Sequence, residues 1–414
     1  MVPRRSRSHL VLPHRRIPLP HIPLLRMRPA ALALAVSSVA LAGCDSFTGT
    51  DDDLRPPAPA IVELPRALSF AETEVIRASS AFGLDLLRHV MADDPSATHV
   101  VSPLSASVAL GMALNGAAGT TFSEMRETLG FAGTTGDALD LETINRSYRD
   151  LVSLLVDLDS EVSFRIANSV WHDMPWTLTS AFRDGVRTDF DAHIAPLDFS
   201  DPAAPDQIDS WVSEATNGRI PSIAPRPIPP DAVAYLINAL HFAGDWRLAF
   251  DEAETVDHVF DDAAGAQTPI RLMQRDDTVH LGSWNGHDVL DLPYGGAAWS
   301  MTLMLPEPGT TVPELLAELD AETWNEALAT LQSTRARIGV PRFTLKWQGE
   351  LSSALKSMGM PSAFLAGVAD FSRLFEQADN LFLTEVKQKT WLRVDEQGTE
   401  AAAAGGARMS PCRT

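Results

Sequence analysis

The chain has 414 residues, 45% of them hydrophobic, which is enough for a large core, and a formal charge of −21. Its first 44 residues hold seven of the 33 Lys and Arg and none of the 54 Asp and Glu, leaving 26 basic against 54 acidic groups, about −28. A body that acidic repels nucleic acid and anionic lipid surfaces, and two cysteines support no disulfide framework.

The Arg-rich start leads into the apolar run ALALAVSSVALAG and the box LAGC, residues 41–44. A basic start, an apolar run and small residues before a cleavage point make a secretory signal, and the run is too short to span a bilayer. Met27, in MRPAALALAV, offers a second start that shortens the basic region. The LAGC box resembles that of bacterial lipoprotein signals, in which the Cys becomes the acylated first residue of the mature protein. That resemblance implies a signal over residues 1–43, a lipid on Cys44, and an exported protein anchored to a membrane of the bacterial envelope. Cys412 is then left without a partner. Residues 44–66 are acidic and then proline-rich, and read as a solvated tether.

The folded body is expected over residues 67–414 as a single domain. Ser69 and Glu72 fit a capping box, followed by Phe82, Leu86, Leu87 and Val90 at helical spacing. Thr121 and Glu124 fit a second box at the start of TFSEMRETLGF. IPSIAPRPIPPDA, residues 220–232, is the one internal linker candidate. Strand patterns come later, in SMTLMLPE and in ARIGVPRFTLKW, where Phe343, Leu345 and Trp347 alternate with Arg342, Thr344 and Lys346. Helices mostly early and strands mostly late indicate an α+β fold. There is no GxSxG, HExxH, GxGxxG, P-loop or CxxC pattern. His241 and His258 have no neighbouring ligand types at metal spacing. No cofactor, metal or enzymatic activity is expected.

One run of segments resembles the serpin family of protease inhibitors in order and in register. It begins with HVVSPLSASVALGMALNGAAGTTFSEMRETLGF, and continues through IANSVW, IDSWVSEATNGRI, LINALHFAGDW, DLPYGG, MLPEP, VPRF, and MGMPSAF with ADFS. It ends on VDEQGTEAAAA and covers roughly residues 69–406. The resemblance implies three β-sheets surrounded by eight or nine helices, and a monomer. It implies suicide inhibition of a serine, or sometimes a cysteine, protease. The target cuts an exposed reactive loop and forms an acyl-enzyme; the loop then enters the largest sheet as a new strand and carries the protease with it.

In that frame residues 394–406 are the hinge, with Glu396, Gly398, Thr399, Glu400, Ala401, Ala402, Ala403 and Ala404 as its functional positions. Alone, four alanines would favour a helical or disordered tail. A strand sliding between two others instead needs small side chains, alternating between faces. Thr399, Ala401, Ala403 and Gly405 would face one side, and Glu400, Ala402 and Ala404 the other. A bulky or charged group on a buried face would stall entry, and Gly398 would act as a flexible pivot. Ser102, Asn238 and Trp246 match family positions where the sheet opens, and Gln388 stands where the family commonly has His. Family spacing places the scissile bond at Cys412–Arg413, with Met409–Ser410 as runner-up. Either implies a target that accepts a medium-sized neutral residue, chymotrypsin- or elastase-like.

Family members continue past this bond into further strands. Their lack here is read as a frameshift or premature stop, or else as a genuine short product with exposed strand edges. A loop held at one end would insert early, so inhibition by this chain is expected to be impaired. The alternative is a non-inhibitory serpin-fold envelope lipoprotein with a binding or structural role.

Overall fold

The computed structural model describes residues 60–61, 63–95, 97–132, 139–261, 267–377 and 381–411. Cys44, the signal, most of the tether, and Cys412–Arg413 lie outside the described residues. The helical first part begins with α1 (Phe70–Asp93), where the Ser69–Glu72 box is formed. The Arg66 guanidinium lies 2.5 Å from Glu72 and, with the capping bonds, holds its carboxyl down at about 2. Phe82, Leu86 and Val90 are buried in the main core, while Leu87 packs against a separate group around Leu315 and Leu316.

Next comes α2 (Pro103–Gly116), buried without a break from Ser105 to Gly116. A helix apolar on every side belongs inside a protein, and this one lies beneath the central strands. The second expected capping box is not formed. α3 (Gly119–Thr128) starts two residues before Thr121, its N-cap is Ala118, and no side chain caps it. Gly119 takes φ +51° and turns the chain there. Thr121 Oγ1 instead accepts from the Asp370 amide at 3.0 Å, and Glu124 from the Ser362 amide at 2.9 Å. Both residues fasten a distant loop. α4 (Leu141–Val156) completes this part.

Ten strands follow: β1 (Val162–Asp173), β2 (Ala192–Leu197), β3 (Ala234–Asp245), β4 (Val256–Asp261), β5 (Gln267–Trp284), β6 (His287–Tyr294), β7 (Trp299–Leu305), β8 (Gln332–Glu350), β9 (Leu381–Val394) and β10 (Gly398–Pro411). Five more helices alternate with them: α5 (Ser180–Phe190), α6 (Ala204–Ala215), α7 (Val312–Glu318), α8 (Ala321–Ala329) and α9 (Ser352–Met358). Nine α-helices are thus present among the described residues. The strands pair in one continuous order, β2-β1-β3-β10-β9-β8-β5-β6-β7, with β4 on β5. Three separate sheets were expected. The ladder is unbroken because β8 pairs with β5 through Arg342 and with β9 from Phe343 onward, so one long strand serves two layers.

The largest core cluster joins α1 and α2 to Leu236 of β3, Leu383 and Val386 of β9, and Ala407 and Met409 of β10. A second covers the opposite face, where Ile208 and Val212 of α6 meet Tyr235, Ile237, Ala402 and Ala404. Ile220, Ile223, Ile228 and Ala232 are buried in that second cluster. The linker candidate is therefore a packed loop within one compact unit. Segment β10 is covered on both faces.

Candidate functional site

The sequence VDEQGTEAAAAGGARMSP turns back on itself and fills the centre of the sheet. Asp395 Oδ1 accepts from the amides of Gln397 and Gly398, at 3.1 and 3.3 Å, a side-chain-closed turn between β9 and β10. In the inserted strand the φ of Gly398 lies outside the left-handed region. A Cβ there would lie 2.2 Å from the carbonyl oxygen of Gly244, so the position needs an atom-free approach between two backbones.

Several groups fix this turn. Trp246 Nε1 donates to the Asp395 carbonyl at 2.8 Å, and its amide donates to Gln397 at 2.7 Å. The Trp246 ring stacks on Tyr294 at 4.5 Å and 14°. Buried Glu396 accepts from Thr255 Oγ1 at 2.9 Å and lies 3.4 Å from Arg342.

From Gly398 onward β10 pairs antiparallel with β3 on one side and β9 on the other. Inserted strands gain a ladder on both edges, and each bond contributes on the order of 1 kcal/mol net. Side chains alternate as the strand period requires. Thr399 accepts from the Tyr294 hydroxyl at 2.6 Å, Ala403 packs with Phe164 and Leu240, and Gly405 lies over Ser105. On the opposite face Ala402 and Ala404 join the α6 cluster. Ala401 is half-buried.

Glu400 is the charged member of this run and is only 8% exposed. It accepts from Arg219 Nε at 2.7 Å and Nη2 at 2.5 Å, and His241 Nε2 lies 3.1 Å from Oε1. Burial alone would raise this carboxyl; the hydrogen bonds from Arg219, then His241, outweigh it and hold it below the usual range. Sequence reasoning expected a charge on a buried face to be obstructive. The structure meets this one with a bidentate cation.

Ser102 and Gln388 exchange two hydrogen bonds: the Ser102 amide donates to Gln388 Oε1 at 2.7 Å, and Gln388 Nε2 donates to the Ser102 carbonyl at 2.9 Å. Asn238 donates to Asn168 Oδ1 at 2.9 Å. In register, Gly405 stands between Asn238 on β3 and Gln388 on β9. The buried Asn238 Oδ1 and Ser105 Oγ have no hydrogen-bond partner. Residue 405 thus separates two amide side chains that would otherwise be on neighbouring strands.

Arg219, His241, Thr255, Tyr294 and Arg342 contact the hinge, and none was assigned a role from sequence. Four of them lie in segments that carried the resemblance: Arg219 in TNGRI, His241 in LINALHFAGDW, Tyr294 in DLPY and Arg342 in VPRF. Those short patterns were the available signal.

The Serpin (serine protease inhibitor) family model matches residues 77–414, and the chain belongs to the serpin family. It is 32% identical to Serpin B6 of Macaca fascicularis over 342 residues, covering 80% of this chain and 88% of that protein. Human Serpin B9 is 30% identical, with 79% and 87% covered. Among solved structures, the thermophilic serpin tengpin in the latent state superposes with a TM-score of 0.74 at 27% identity, covering 83% of this chain and 90% of that one.

Proposed function

We propose that this chain inhibits a serine protease as a suicide substrate, and that residues 398–411 are its reactive loop in the incorporated state. The observation that carries this reading is β10 itself: a strand of Ala and Gly that fills the sheet centre, paired along both edges and covered on both faces. The protein acts as substrate and not as catalyst. The proposed target is chymotrypsin- or elastase-like, cutting at Cys412–Arg413, and the proposed setting is a bacterial envelope membrane reached through a lipid on Cys44.

In the inserted form residues 398–411 are strand-paired and offer no extended segment to a protease cleft. Mixed with chymotrypsin, elastase or subtilisin, this form is expected to give neither a covalent complex nor cleavage within the strand. A form with the segment outside the sheet is expected to give a complex that survives a denaturing gel. The second reading, a non-inhibitory envelope protein, draws on the fact that β10 already lies within the sheet. Cleavage of the segment with no complex from any form would overturn inhibition and favour that second reading.

A further inference from the structure

A carboxylate at the third position of an inserting strand is costly. Leaving water for a site 8% exposed penalises a charge unless partners replace its hydration. Ala402 and Ala404, on the same face, show what the strand uses where only space matters. We infer that Arg219 and His241 form a receiving site for the Glu400 carboxylate, and that they are positioning residues which commit the loop to entry. The inference rests on reading 398–411 as the inserting loop.

The geometry fits a purpose-built receiver. Arg219 comes from the loop after α6, outside the sheet, and presents Nε and Nη2 together to the two carboxylate oxygens. Its guanidinium also lies over the Trp391 ring at 4.6 Å, which fixes its plane. His241 is 5% exposed and sits on β3 beside the incoming strand. A carboxylate only accepts, so His241 Nε2 carries the hydrogen in this contact. Arg393 on β9 stands 3.6 Å from Glu400 Oε2 and is itself bound to Asp395 at 3.2 Å. The carboxylate is thus met from the loop, from β3 and from β9.

Position along the strand gives the site its timing. Glu400 is two residues past Gly398, where β10 begins, so it reaches its partners before Ala402 is enclosed. Capture at that point holds the first turn of the zipper closed while the rest follows. Loop entry competes with hydrolysis of the acyl-enzyme, so an early latch acts on the partition between trapping and release.

The test needs no protease. Hydrogen exchange is measured on the full inserted chain for amides of 398–411, in wild type, Glu400→Gln, Arg219→Ala, Arg219→Lys, His241→Leu and His241→Gln. Charge-assisted bonds of this kind predict about tenfold faster exchange at 399–403 in Glu400→Gln and Arg219→Ala, with little change at 407–411. Arg219→Lys and His241→Gln each keep a donor and are expected to recover most of the protection. Glu400 has its carboxyl held below the usual range, so its contribution is present above that range and lost as pH falls. Protection at 399–403, corrected for intrinsic exchange, should therefore fall on acidification in wild type and stay flat in Glu400→Gln.

Uniform loosening of the whole strand, no rescue by Lys, or matching pH profiles would overturn the inference. A second arm, with chymotrypsin added to the form that has its loop outside the sheet, compares molar stoichiometry with association rate. A higher stoichiometry at unchanged rate in Glu400→Gln supports the latch; an unchanged stoichiometry where complexes form overturns its part in trapping. If no variant forms complexes, inhibition fails, and the exchange arm still decides the site.

Discussion

Ala403 shows what the inserted strand tolerates at one residue. Its methyl group meets Phe164 and Leu240 in a closed cluster, so Ala403→Leu adds three carbons where there is no space. Overpacking of this kind costs about 1–3 kcal/mol. Thermal unfolding of the inserted form should show a clearly lowered midpoint; an unchanged one would mean that the cluster yields freely. Gly405 gives the opposite expectation. A Cβ there would lie 3.2 Å from the unpartnered Ser105 Oγ and 3.7 Å from Gln388 Nε2, so a hydroxyl would sit within reach of both. Gly405→Ser is expected to stabilise the inserted form by about 1 kcal/mol, if Ser105 gives way by a few tenths of an ångström. Denaturant unfolding at constant m-value reads this directly, and destabilisation would show that the contact is too tight. At this scale the alternation of the hinge was legible, because a strand has a period of two. The Arg219–Glu400 pair was not, since its partners lie 181 residues apart in sequence.

At the scale of elements, α1 and α3 show why the same pattern reads correctly once and wrongly once. Ser69 and Glu72 sit where the chain enters a helix from an extended N-cap. Thr121 and Glu124 have the same spacing, but Gly119 has already turned the chain and the helix has begun. Local spacing records the pattern and not the entry point. The α1 box also carries a pH expectation. Glu72 is depressed to about 2, first by Arg66, so its contribution is full above the ordinary carboxylate range and lost as pH falls toward about 2. Acid unfolding of wild type should steepen across that interval, whereas Glu72→Gln starts less stable near neutrality and lacks this component. Equal slopes would place the acid sensitivity elsewhere. Helix propensity misleads for β10: four alanines form strand because two neighbours offer edges, and tertiary context outweighs intrinsic preference.

For the molecule as a whole, the order of segments and the α+β class were legible from ordered family patterns. The continuity of the sheet was not, because it depends on where β8 changes partners, and nothing in its alternation marks that point. Early insertion of β10 was expected, although its small residues by themselves describe only a segment able to enter. The short turn at Asp395–Gly398 has a mechanical consequence. It fixes one end of a 14-residue strand, and at about 3.4 Å per residue that strand reaches roughly 45 Å from the turn. On the reading proposed above, the turn is a fulcrum and β10 a lever arm whose far tip would be carried from one rim of the sheet to the other. A group bonded beyond Pro411 would then travel the full length of that stroke, and the four residues of the turn would set the arc along which it moves.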